Sequence, residues 1–253
     1  MSGSHVHALT VHGHSPLHRL PARVKLVALG LFVVAVVATP RHQLWAFAVY
    51  ALLVTMVLVV AELPAKFVLK RMGLEVPFVA FALFLPFVGG APRITAWGLM
   101  LSIEGIWAAW NIIAKATLGT AASIVVIATT ETPHILRGLG QLRLPPTMVA
   151  VAGFMVRYLE VVGDEVRRMR IAMAARGYQP TWLGQAKALA VAGGALFIRS
   201  YERGERVHQA MLARGFTGAM PDLIDDHADR SDWAVALSVP LSAWLVAALA
   251  VAA

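Results

Sequence analysis

The chain has 253 residues, of which 58% are apolar and only 14% charged, with a mean hydropathy of +0.69. Soluble domains are about 45–50% apolar and about 25% charged, so the composition excludes that class and indicates a membrane protein. A formal charge of +8 fits cytoplasmic membrane loops before it fits nucleic acid, and the absence of cysteine removes disulfides, thiolate metal sites and thiol nucleophiles together.

Residues 1–23 form a polar tail holding five of the nine histidines, His5, His7, His12, His14 and His18. Nothing beside them fixes the geometry that a metal requires, so they read as a disordered, weakly chelating tail rather than a metal site. Arg23, Lys25 and the apolar run to Ala38 have the outline of a signal peptide, but no small-x-small cleavage site follows them.

Apolar segments follow at 24–38, 44–61, 76–90, 94–130 and 233–253. The first and third are short against the about 20 residues that a bilayer requires, which flanking Arg and Lys can extend by snorkelling. The fourth holds 37 residues, too many for one crossing, and its first third is expected to be an interfacial helix or a tilted extension. Strand-type alternation between turns is absent, which sets aside a barrel. The expected fold is all-α, with about five transmembrane helices over 24–130 and 232–253 and long cytoplasmic helices within 131–231.

Loop charge gives the orientation. Arg19, Arg23 and Lys25 precede the first span, and Lys66, Lys70 and Arg71 separate the second from the third, while Arg41 and Arg93 fall on the opposite side. Residues 131–231 carry 13 of the 22 Lys and Arg, so this segment and the N-terminus are expected in the cytoplasm, four crossings apart.

Within 131–231 three helices are expected. Thr132-Pro133 opens a short one over 134–142, which Leu144-Pro145-Pro146 breaks. Two long ones, 147–176 and 183–214, extend for about 45 Å each at about 1.5 Å per residue. Both become charged in their second halves, the former with Arg157, Glu160, Asp164, Glu165, Arg167, Arg168 and Arg170, the latter with Arg199, Glu202, Arg203, Glu205 and Arg206. Pairs such as Glu160 with Arg167 and Glu202 with Arg206 support the helices by about 0.3–0.5 kcal/mol each. Gly193-Gly194 costs about 1 kcal/mol of helix propensity per glycine, which a close helix crossing would explain.

The phosphate loop with Lys-Ser/Thr, the His-Glu-x-x-His helix and the Gly-x-Ser-x-Gly elbow are missing, so the chain is not expected to bind or hydrolyse ATP itself. Glu104, Asn111 and Lys115 share one helix face; the alternatives are a substrate path and internal pairing or contact with a partner, and the few polar groups on that face favour pairing. The sharpest signal is a repeated phrase. Residues 172–178 read Ala-Met-Ala-Ala-Arg-Gly-Tyr and residues 210–216 read Ala-Met-Leu-Ala-Arg-Gly-Phe. In each, a small residue, Arg and Gly close a charged helix. Gly adopts the left-handed conformation that stops the helix, the cation sits beside unpaired carbonyls, and Ala leaves the guanidinium uncrowded for a partner.

With these two motifs, and with Arg157-Tyr158-Leu159-Glu160 and the run 199–206, the chain resembles the transmembrane (T) component of energy-coupling factor transporters, and most of all the cobalt-type CbiQ family. The resemblance implies a non-catalytic scaffold in the cell membrane. Ala175, Arg176 and Gly177, and Ala213, Arg214 and Gly215, would insert into grooves on two cytoplasmic CbiO-like ABC ATPases that hold the ATP and Mg. A separate CbiM-like membrane subunit, with or without a CbiN-like one, would capture the substrate. A T component for nickel or another substrate, a self-sufficient secondary transporter and a membrane-tethered nucleic-acid binder are the alternatives. The last is opposed by ten acidic residues interleaved with the basic ones over 131–231, and the secondary transporter by the lack of two repeated halves.

Overall fold

Apolar runs with few polar side chains form helices because a helix satisfies its own backbone where water is absent. The structure, a computed structural model, describes residues 13, 15–90, 92–96, 99–178, 186–218 and 228–252. Its helices are α1 (Pro16–Arg19), α2 (Ala22–Ala38), α3 (Leu44–Val60), α4 (Ala65–Met72), α5 (Val76–Val88), α6 (Ile103–Ala128), α7 (Thr132–Gln141), α8 (Pro146–Ala175), α9 (Ala186–Ala213) and α10 (Arg230–Ala252). A 3-10 turn, Gly73–Glu75, joins α4 to α5. One unit runs from α1 to Leu139 and takes in α10; the other holds α8 and α9.

The protein is an all-α membrane protein. Ala65–Val88, Ile103–Ala128, Pro146–Ala175 and Arg230–Ala252 are each long and apolar enough to cross a membrane, and Leu44–Val60 is a shorter apolar helix. α2, with 17 residues, is likewise short. α8 meets the criterion on length and composition, yet its second half carries Asp164, Glu165, Arg167, Arg168 and Arg170, which hydrocarbon disfavours.

In the larger unit α6 touches α2, α3, α4 and α5, and α10 lies along α2 and α3. Small residues permit this approach: Ala243, Ala247 and Ala250 on α10, Ala35 on α2, Ala46 on α3 and Ala121 on α6 all lie in the buried core. Between them sits Tyr50, fully buried, with Phe32 and Phe47 edge-on to its ring. Its hydroxyl lies 2.8 Å from Thr39 Oγ1 and donates to the Ala243 carbonyl at 3.3 Å, so this buried hydroxyl is satisfied.

Residues 93–102 correct the expected interfacial helix. Arg93–Ala96 and Leu99–Ser102 form an antiparallel strand pair, with Arg93 opposite Ser102. Ser102 then caps α6 by accepting from the Gly105 N–H at 3.2 Å, so the helix starts at Ile103. A Cβ on Gly105 would overlap the Leu85 carbonyl, which makes glycine the residue that lets α6 cross α5 there.

The tail reading is also corrected at its C-terminal end. Pro16 opens α1 at a favourable first position, and Ser15 is buried with its Oγ 2.7 Å from His18 Nδ1. The other four tail histidines lie outside the described residues. Lys25, counted among the orienting charges, is 5% exposed and donates to the Thr129 carbonyl at 3.0 Å and Thr130 Oγ1 at 2.9 Å. It thereby places a cation on the C-terminal end of α6, where the helix dipole favours one.

Candidate functional site

The two Ala-Arg-Gly phrases end their helices in one backbone geometry. At the end of α8, Tyr178 N–H donates to the Met173 carbonyl and Gly177 N–H to the Ala174 carbonyl, both at 3.0 Å. At the end of α9, Phe216 N–H donates to the Met211 carbonyl and Gly215 N–H to the Leu212 carbonyl, again both at 3.0 Å. Gly177 has φ +76° and Gly215 φ +81°. This is the six-to-one and five-to-two bonding of a Schellman motif, and it explains the aromatic ring and the methionine of each phrase. They occupy the two positions whose side chains commonly meet in that motif, and all four are half-buried.

Ala175, Arg176, Gly177, Ala213, Arg214 and Gly215 are all exposed. Among the described residues no hydrogen bond or ion pair engages the Arg176 or the Arg214 guanidinium. Among the described residues a Cβ on Gly177 or Gly215 would meet nothing within 4 Å, and it is the left-handed backbone that calls for glycine there. Each tip is therefore a rigidly closed helix end offering a free planar fork of donors.

α8 and α9 run past each other in opposite senses. Glu165 of α8 faces Arg199 of α9, whereas Arg176 and Gly177 share a groove of about 950 Å³ with Lys187 near the start of α9. From this crossing Arg176 lies 11 residues along one helix and Arg214 lies 15 residues along the other. At about 1.5 Å per residue the two tips thus stand up to about 39 Å apart.

The charged halves pair in part as expected. Glu202 meets Arg206 at 3.8 Å, but Arg167 pairs with Asp164 at 2.7 Å instead of Glu160, because a neighbour one turn away is within reach and one two turns away is not. Glu165 receives Arg168 Nη2 at 2.8 Å and Arg199 Nη1 at 2.6 Å. The hydrogen bond from Arg168, then that from Arg199, holds its carboxyl below the usual carboxylate range, and the same bond raises Arg168. Gly193 and Gly194 do not mark a close crossing: a Cβ on either would find nothing within 4 Å among the described residues.

The polar face of α6 meets the last turn of α2 and the connection that follows it. Lys115 Nζ donates to the Val37 carbonyl at 2.9 Å, Glu104 lies 4.0 Å from Arg41, and the Trp107 ring is tilted against His42 with centroids 4.8 Å apart. Asn111 Oδ1 is buried with no hydrogen-bond partner among the described residues. Two of the three residues, Glu104 and Lys115, thus have internal partners. Among the described residues no three His, Cys, Asp or Glu groups converge as a metal site.

A family model described as CbiQ, cobalt transport protein, matches residues 13–223, which takes in both tips. The energy-coupling factor transporter transmembrane protein EcfT of Bacillus selenitireducens is 30% identical over 226 residues, covering 82% of each chain. The protein of the same name from Ruminiclostridium cellulolyticum is 25% identical over 83% of this chain and 82% of its own. The putative fused cobalt transport protein CbiMQ of Methanocorpusculum labreanum is 22% identical over 81% of this chain, which corresponds to 36% of that longer protein.

Proposed function

Because this chain belongs to the CbiQ cobalt transport protein family, we propose that it is the membrane scaffold through which two cytoplasmic ATPases drive a separate substrate-capture subunit. The N-terminus, α8 and α9 lie on the cytoplasmic side in this reading, as the excess of Lys and Arg over 131–231 favours. Arg176 and Arg214 each seat in a groove on one ATPase, where a carboxylate or backbone carbonyls accept from the guanidinium fork. ATP and its Mg remain with those partners.

The observation that carries this reading is the pair of like-built tips, each exposed and each with an unengaged guanidinium. Two equivalent plugs suit a two-fold ATPase dimer. Closing and opening of the dimer moves the tips, and the long helices transmit that motion to the capture subunit. The fused CbiMQ relative favours a CbiM-like capture partner, and the family description favours cobalt as substrate.

Removing one side of a buried charged pair costs about 3–5 kcal/mol. Arg176→Ala combined with Arg214→Ala is therefore expected to abolish uptake in cells that express the whole transporter and to strip the ATPases from the purified scaffold. Uptake at the wild-type level in that double variant would overturn the reading.

A further inference from the structure

We propose that Glu165 is a positioning residue, the latch that sets the distance between the two arginine tips. Each of its carboxylate oxygens has its own guanidinium: Oε2 takes Arg168 of the same helix, and Oε1 takes Arg199 of the opposite helix. Its side chain is 18% exposed, while each arginine is 63% exposed, so the shielded member of the cluster is the acid.

Charge around the groove shows why one acid matters. Arg168, Arg176, Lys187 and Arg199 line it, and Glu165 is the carboxylate among its described lining residues. Without Glu165, these four cations on two helices would face each other across the groove with no carboxylate among its described lining residues. Arg168 holds the acid in place from its own helix, which leaves Oε1 aimed at α9.

Position gives the latch its leverage. The Glu165–Arg199 contact lies between the tips, at the crossing, with Arg176 beyond it on one arm and Arg214 beyond it on the other. A change of angle at this point alters the separation of two remote ends, whereas the same change near one tip would move that tip alone. The inference rests on the scaffold reading for its consequence in transport but not for its geometry.

The cysteine-free chain permits spin labels at single introduced cysteines, one replacing Ala174 near the first tip and one replacing Gln209 near the second. In the purified chain in nanodiscs, Glu165→Gln is expected to shift and broaden the label–label distance distribution. Glu205→Gln, a change at an exposed acid further along α9, is expected to leave it as in the parent. Arg199→Gln should reproduce the Glu165→Gln change, and the double variant should be no worse than either single one, because the two residues act as a unit.

In the assembled transporter Glu165→Gln is expected to retain ATPase subunits while uptake per bound complex falls about fivefold or more. An unchanged distance distribution in Glu165→Gln, or additive effects in the double variant, would overturn the latch. If the parent chain bound no ATPase, the scaffold reading would fall, while the distance measurement would still judge the latch.

Discussion

Gly177 and Gly215, 38 positions apart, adopt one conformation, φ +76° and +81°, and each turns its helix end so that the preceding arginine stands free. A repeated string of seven residues becomes a repeated piece of geometry because the glycine, the aromatic ring and the methionine each have a place in the closing bonds. The arginine joins them through its backbone N–H alone, so its guanidinium is what each tip leaves to a partner.

Replacing either glycine by alanine forces a β-carbon into the left-handed region, at about 1–2 kcal/mol per site. The last turn should open, and amide hydrogen exchange at residues 177 and 178, or 215 and 216, should accelerate while the middle of the helix is unaffected. ATPase binding should weaken in the Gly177→Ala and Gly215→Ala variants although both arginines are intact.

Lys25→Met should destabilise the membrane unit. Its ammonium supplies the Thr129 carbonyl and Thr130 Oγ1 in a buried position, and hydrogen bonds to charged groups contribute about 1.5–3 kcal/mol. Thermal unfolding in detergent is expected to show a lowered midpoint. Arg19→Met, at an exposed position, should show little change.

Two glycine-to-alanine changes should differ, one destabilising and the other not. At Gly105 the new methyl overlaps the backbone of Leu85, so Gly105→Ala should lower stability. At Gly193 the space is open among the described residues, and the gain in helix propensity of about 1 kcal/mol should leave Gly193→Ala neutral or more stable. Melting curves of the two variants side by side would decide this.

Much of this fold is legible in the residue order. The apolar runs 24–38 and 44–61 became α2 and α3 almost to the residue, and Thr132-Pro133 and Pro145-Pro146 mark where α7 and α8 begin. The strand pair at 93–102 was hidden inside a continuous apolar stretch. Its signals were local: Gly89-Gly90 and Pro92 before it, and Ser102 positioned to cap the next helix. The tips were legible because capping is a property of neighbouring residues. The Glu165–Arg199 contact was not, since it joins residues 34 positions apart and depends on how two helices cross. Lys25 was misjudged as a loop charge for a similar reason: its partners come from the far end of α6.

Acid should loosen the contact between α8 and α9. The Glu165 carboxyl is depressed in the folded state by Arg168 and Arg199, so its stabilisation is present above the ordinary carboxylate pKa of about 4.3 and is lost as pH falls through the lower folded value. Arg168, Arg176, Lys187 and Arg199, the cations lining the groove, repel once the acid is neutral. The neighbouring acid, Asp164, pairs with Arg167 of its own helix and does not bridge to α9 in this cluster. The distance between labels near the two tips should therefore be constant at neutral pH and change on acidification below that range, and Glu165→Gln should show no such pH dependence.

The most direct measurement uses the absence of cysteine. With a single cysteine at Ala175 or at Ala213, a short thiol-reactive crosslinker applied to the assembled transporter in native membranes should join each position to an ATPase subunit, with protection from a soluble thiol reagent. If both positions react freely with that reagent and neither joins a second polypeptide, Arg176 and Arg214 are not seated in an ATPase, and the account of this chain as the link between ATP hydrolysis and substrate capture is contradicted.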